Sequence, residues 1–159
     1  MSEADTVQTE LLGKFAYLVG AVRVERAKRV WVDVDQARFP EVFEFLVKKL
    51  EFGNLCTITG LDEGAGLGFI YHLARNGGLM VNVKTHAPKG AAIRSITPYF
   101  PGGGIYEREL EDLFGAKVEG LPPGSRYPLP DDWPEGEHPL LKDWKPKGTG
   151  SGEKGATNE

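Results

Sequence analysis

Cysteine is all but missing: Cys56 is the only one in 159 residues. That rules out an internal disulfide and leaves no ligand set for a cysteine-held iron–sulfur cluster or structural zinc. Histidine is also scarce, with His72, His86 and His138 scattered and none at ligand spacing from another. The chain lacks a basic excess, its net charge being −4, which argues against nonspecific nucleic-acid binding. No apolar run approaches the length of a membrane span. Met1 to Glu10 is polar and acidic, without the basic-then-apolar form of a signal peptide, so a cytosolic location is expected. Nor is there a Gly-Lys-Ser/Thr phosphate loop. The runs Gly64-Ala65-Gly66-Leu67-Gly68 and Gly102-Gly103-Gly104 read as turns.

What is present suffices for one domain. Apolar residues make up 40% of the chain and aromatics 10%, enough for a core. Thr6 is the expected cap of a first helix reaching Lys14. Val19–Val24 and Arg29–Val34 read as strands joined by a charged hairpin. Asp35 is the expected N-cap of a second helix. There Phe39, Val42, Phe43, Leu46, Val47 and Leu50 recur on one face, and Gly53 stops the helix. Three strand-like runs follow, at Asn54–Leu61, Leu67–Ala74 and Leu79–Thr85. Arg75-Asn76-Gly77-Gly78 is a hairpin turn between the last two. This order predicts an α+β fold: a mixed or antiparallel sheet with helices packed on one face. Cys56 within Leu55-Cys56-Thr57-Ile58 is expected to be a buried, inert thiol, and His72 a packed, hydrogen-bonded strand residue. His86 and His138 are placed in loops.

The stretch Tyr106–Gly115 is the pivot. As a helix it puts Tyr106, Leu110, Leu113 and Phe114 on one face. Glu107, Arg108, Glu111 and Asp112 fall on the other, expected to be exposed. Gly104 is the expected N-cap and Gly115 the stop. Glu111 and Asp112 sit badly with the dipole at the helix C-terminus, and Arg108 is in reach of Asp112 at i+4. Paired carboxylates such as Glu107 and Glu111 suit acid–base chemistry, but without a histidine a surface role is favoured. From Gly120 the composition changes. Seven of the eleven prolines lie between Pro122 and Pro146, and Leu121, Tyr127, Leu129, Trp133, Leu140 and Trp144 are sparse anchors. An extended segment that buries its aromatics against a partner is expected, as no core can form there alone. The boundaries read as a domain at 1–118, an extended partner-binding tail at 119–146, and a disordered glycine-rich end at 147–159.

These residues resemble a known family. Glu107-Arg108-Glu109 followed by Asp112-Leu113-Phe114-Gly115 is similar to the signature of the 30 kDa subunit of NADH–quinone oxidoreductase, respiratory complex I. The family includes the related subunit of energy-converting nickel–iron hydrogenases and formate hydrogenlyases. Thr57–Asp62, Tyr71-His72-Leu73, Ser95-Ile96-Thr97, Phe100-Pro101, Pro130-Asp131-Asp132-Trp133 and Pro139-Leu140-Leu141-Lys142-Asp143 extend the resemblance over about Val19 to Trp144. Ile105 stands where the family usually has tryptophan. Leu121, Ser125 and Leu141 replace a histidine and two arginines, leaving Arg126. The short length and the Pro134-Glu135-Gly136-Glu137 insertion lean toward the hydrogenase branch.

The resemblance implies a non-catalytic peripheral subunit of a complex that carries electrons from NADH to quinone. It would dock on the large hydrogenase-like (49 kDa-type) subunit, beside iron–sulfur subunits, at the cytoplasmic side of the membrane. It implies no cofactor in this chain, the clusters and the quinone or nickel–iron site lying in partners. The residues assigned to partner binding are Glu107, Arg108, Glu109, Asp112, Arg126, Trp133, Leu140, Lys142 and Trp144. A stand-alone carboxylate enzyme and a peptide-binding module using the sheet edge are the rival readings.

Overall fold

The computed structural model describes residues 1–146, so the disorder expected for 147–159 lies outside the described residues. The elements run α1 (Glu3–Lys14), β1 (Val22–Arg26), β2 (Arg29–Asp33), α2 (Phe39–Lys48), β3 (Asn54–Asp62), β4 (Gly66–Ala74), β5 (Met80–Pro88), β6 (Ala92–Arg94), α3 (Gly104–Phe114) and β7 (Lys117–Glu119).

The strands form a five-stranded sheet in the order β1-β2-β5-β4-β3. β1 and β2 are the expected hairpin, and β3, β4 and β5 an antiparallel meander. β2 joins the meander in parallel with β5, so the sheet is mixed. Alternation decides which face is buried. Val30 and Val32 of β2, Val81 and Val83 of β5, and Phe69, Tyr71 and Leu73 of β4 all enter the core. Between them, Trp31, Asn82 and His72 lie in register on the other face. All three helices contribute to the same core: the α+β expectation holds.

Helix α2 buries Phe39, Val42, Phe43 and Leu46, each worth about 1.5–3 kcal/mol before entropy is counted. Phe43 meets the Tyr71 ring edge-on at 5.6 Å. The helix ends differ from expectation. Ser2, not Thr6, caps α1, in a reciprocal box with Asp5. Asp35 does not cap α2; its carbonyl accepts from the Phe39 amide, and Arg38 is the N-cap. α2 stops before Gly53, because Glu51 takes the left-handed conformation at φ 58°. The Phe52 amide then closes back on the Leu46 carbonyl.

Cys56 is exposed, not buried. Pairing of β3 with β4 skips from Leu55 to Thr57, and the bulged residue lies on an edge strand. His86 belongs to β5 rather than a loop. The short strands β6 and β7, paired in parallel, have no counterpart in the sequence pattern. Three residues are too few for any periodicity to register. This ladder holds Ser95–Thr97 beside α3: the Ser95 amide donates to the Glu119 carbonyl.

Candidate functional site

Helix α3 sits on β3 because Gly60 has no side chain. A Cβ there would come within 2.6 Å of the Phe114 ring and 2.8 Å of Leu110. At its start Gly103, not Gly104, is the N-cap, with no side-chain cap. At its end Gly115 is left-handed at φ 68°, and the Ala116 amide reaches the Leu110 carbonyl. Leu110 is buried, and Tyr106 and Phe114 pack against the core, as their spacing predicts.

The polar face does not lie in solvent. Glu107 is 0% exposed. The Ile96 amide donates to its Oε1 at 2.7 Å, and the Ser95 hydroxyl to its Oε2 at 2.6 Å. Thr97 closes the network through the Ser95 hydroxyl at 2.7 Å. Burial pushes the Glu107 carboxyl above its ordinary value, against the opposing pull of these donors. The buried Tyr71 phenol is raised by burial and then by the Glu107 charge. Glu107 thus ties the segment after β6 to α3. Periodicity misses this, because the group it packs against is a backbone amide, which has no hydropathy.

Asp112 is likewise buried, and its partner is not Arg108. The Nε of Arg126 donates to its Oδ1 at 2.6 Å, and the Leu129 amide to its Oδ2 at 3.0 Å. Arg126 also donates to the Trp133 carbonyl. Arg108 instead donates to the Pro122 carbonyl. Glu111 accepts from the Val118 amide. Glu109 has no partner among the described residues. The acids that looked misplaced at the end of α3 are therefore receptors for the chain that follows.

That chain folds back on its own domain rather than standing extended. His138 donates from Nδ1 to the Asp112 carbonyl, and the Leu140 amide to the Leu113 carbonyl. Together they satisfy orphan carbonyls of the last helical turn. The His138 ring fills the space over Gly115, where a Cβ would lie 2.6 Å from it. The rings of Trp133 and Trp144 face each other at 5.9 Å, and the Trp133 indole donates to the Glu137 carbonyl. Leu141 packs against the core, while Leu140 is 50% exposed.

Asp62, at the end of β3, holds the far end of the tail. It accepts from the amides of Lys142 and Gly64, and from the Lys89 ammonium at 3.1 Å. The Lys142 amide, then Gly64 and Lys89, hold its carboxyl down at about 2 from 3.8. A depressed carboxyl contributes stability above its unfolded value of 3.8 and loses it as pH falls toward about 2. Acid in that window is expected to loosen the Lys142 end of the tail first. Asp62→Asn, whose amide nitrogen cannot accept, is expected to do so at neutral pH. Hydrogen exchange at the Lys142 amide would rise about tenfold or more, and unchanged exchange refutes the anchor.

His72 accepts or donates between Thr59 at 2.9 Å and Asn82 at 2.8 Å, the packed role expected of it. His86 contacts Glu63, which also pairs with Lys84 at 2.7 Å. Among the described residues there is no group of three His, Cys, Asp or Glu side chains able to hold a metal. No described helix is long and apolar enough to cross a membrane.

In this small α+β domain the signature acids are used structurally: Glu107 ties the segment after β6 to α3, and Asp112 holds the tail. The chain belongs to the family described as "Respiratory-chain NADH dehydrogenase, 30 Kd subunit", whose model matches residues 32–150. It is 31% identical to a subunit of the F(420)H(2) dehydrogenase of Methanosarcina mazei, over 90% of this chain and 92% of that one. It is 29% identical to the beta subunit of the membrane-bound hydrogenase of Pyrococcus furiosus, over 91% and 88%. A chain in the structure of the membrane-bound sulfane sulfur reductase, an archaeal respiratory membrane complex, superposes with a TM-score of 0.80 at 23% identity, covering 91% of this chain and 86% of that one. The resemblance in the sequence is thereby established, as is the class: a complex I-like or hydrogenase-like subunit.

Proposed function

We propose that the chain is a docking subunit in the peripheral arm of a complex I-like oxidoreductase that passes electrons from NADH to quinone. It lies at the cytoplasmic side of the cell membrane and seats the large hydrogenase-like subunit; redox groups belong to its partners. The observation that carries this reading is the tail. It is pinned at Asp112, His138 and Asp62, yet keeps Tyr127 and Leu140 exposed, an arrangement that holds apolar anchors outward on a preorganised support. Trp133, Trp144, Arg126 and Lys142 shape that support, while Glu109 and Arg108 complete the contact surface.

The equivalent subunit of a membrane-bound hydrogenase, formate hydrogenlyase or F420H2-type dehydrogenase is the second reading. It is favoured by the near-full-length match to relatives with such names. A carboxylate enzyme is disfavoured, because Glu107 and Asp112 are closed off from any substrate. Co-expression with the neighbouring large subunit tests the docking role. Truncation after Gly120 is expected to abolish co-purification, and equal recovery of full-length and truncated chains defeats it. The electron donor oxidised by the recovered complex separates the two readings.

A further inference from the structure

A groove of about 490 Å³ runs between the start of α3 and the first turn of the tail. Its walls include Thr97, Ile105, Arg108, Ser125, Arg126 and Tyr127, and no lining residue is acidic. Two of the chain's few exposed large apolar side chains meet here, Ile105 at 47% and Tyr127 at 43% exposure.

The charge in the groove is unbalanced. Arg126 is neutralised by Asp112, but among the described residues no carboxylate forms an ion pair with Arg108. Its guanidinium is held by the Pro122 carbonyl and lies beside Gly124, where a Cβ would be 2.6 Å from Cζ. A cation held by a backbone carbonyl and by no direct carboxylate pair, flanked by isoleucine and tyrosine, in a chain of net charge −4, matches the chemistry of an interface anchor pocket.

We propose that this groove receives an acidic segment of a partner subunit. A carboxylate of that segment pairs with Arg108, and an apolar neighbour is covered by Ile105 and Tyr127. The proposal rests on the docking reading and adds the chemistry of the occupant and its place. The groove lies at the opposite end of α3 from the exposed Leu140, so the two sites are tested separately.

The photo-crosslinking residue p-benzoylphenylalanine is placed in the full chain at position 105 and, in a second variant, at position 140. Each variant is assembled with its neighbouring subunits in membranes, irradiated, and the joined peptides sequenced by mass spectrometry. Position 105 is expected to capture a segment of another subunit with an aspartate or glutamate beside the joined residue or one helical turn away. Capture of a segment without an acid, or of residues from this chain, overturns the proposal. So does failure at 105 when 140 captures a partner, a result that leaves the docking reading standing. Failure at both positions overturns the docking reading and this proposal together. Arg108→Glu is then expected to lower recovery of the complex about tenfold, with the near-ultraviolet spectrum of the free chain unchanged. Reversing the captured acid to arginine restores recovery if the pair is real; no restoration overturns the pair.

Discussion

Glu107→Ala is expected to cost about 2–4 kcal/mol of folding stability at neutral pH, read as a lower urea midpoint. The carboxylate is the acceptor for the Ile96 amide and the Ser95 hydroxyl, and alanine leaves a buried amide without a partner and a void beside it. Glu107→Gln separates the bonds from the charge. Its oxygen still accepts from the Ile96 amide, and its nitrogen donates to the Ser95 oxygen. That variant is expected to fold with at least the stability of the parent. The pH dependence gives an independent sign. A carboxyl raised in the folded state contributes most below its unfolded value of 4.5, and that contribution is lost as pH rises through the folded value. Glu107→Gln is therefore expected to gain on the parent as pH rises from 4.5 upward. A parent-to-Gln difference that does not change with pH shows that the charge is not desolvated.

Asp112→Ala is expected to release the tail while leaving the domain folded. It removes the acceptor for both Arg126 and the Leu129 amide, so the tail loses its first anchor. A brief protease treatment should then cut between Arg126 and Trp144. The near-ultraviolet signal of the facing Trp133 and Trp144 rings should fall sharply. The domain is expected to lose little stability, about 1 kcal/mol or less, since the buried core side chains all precede the tail and only Leu121 and Leu141 of the tail pack against them. Recovery with the large subunit is expected to fall about tenfold as preorganisation is lost. A protected tail in this variant shows that His138 and Asp62 hold it alone.

Both experiments turn on acids whose roles are invisible in one dimension. Glu107 and Asp112 occupy the polar side of an amphipathic pattern, which predicts solvent. Each is buried because a segment close in space but outside the helix supplies donors: Ser95 and Ile96 for one, Arg126 and Leu129 for the other. The pairing expected of Arg108 with Asp112 is sound as local geometry. It loses to Arg126, which reaches Asp112 from the tail and leaves Arg108 to the Pro122 carbonyl. Cys56 departs from expectation for a similar reason: a strand-like run predicts burial, but a bulge on an edge strand turns the thiol outward. The tail's sparse aromatics are legible as groups in need of cover. That much of the cover is intramolecular depends on Gly115, which makes room for His138.

The sequence by itself determined the class of fold, the three helices and the five strands of the main sheet, and the family. These rest on hydropathy period, glycine stops and a contiguous signature, which are local properties of the chain. It also determined the scarcity of thiols and the absence of a basic excess, because these are properties of composition. The tertiary structure alone decided which acids are exposed, which cation holds which carboxylate, and that the tail closes onto α3. Burial and hydrogen bonding depend on what approaches from elsewhere in the chain, and a carboxylate reads the same in sequence whether water or a backbone amide faces it.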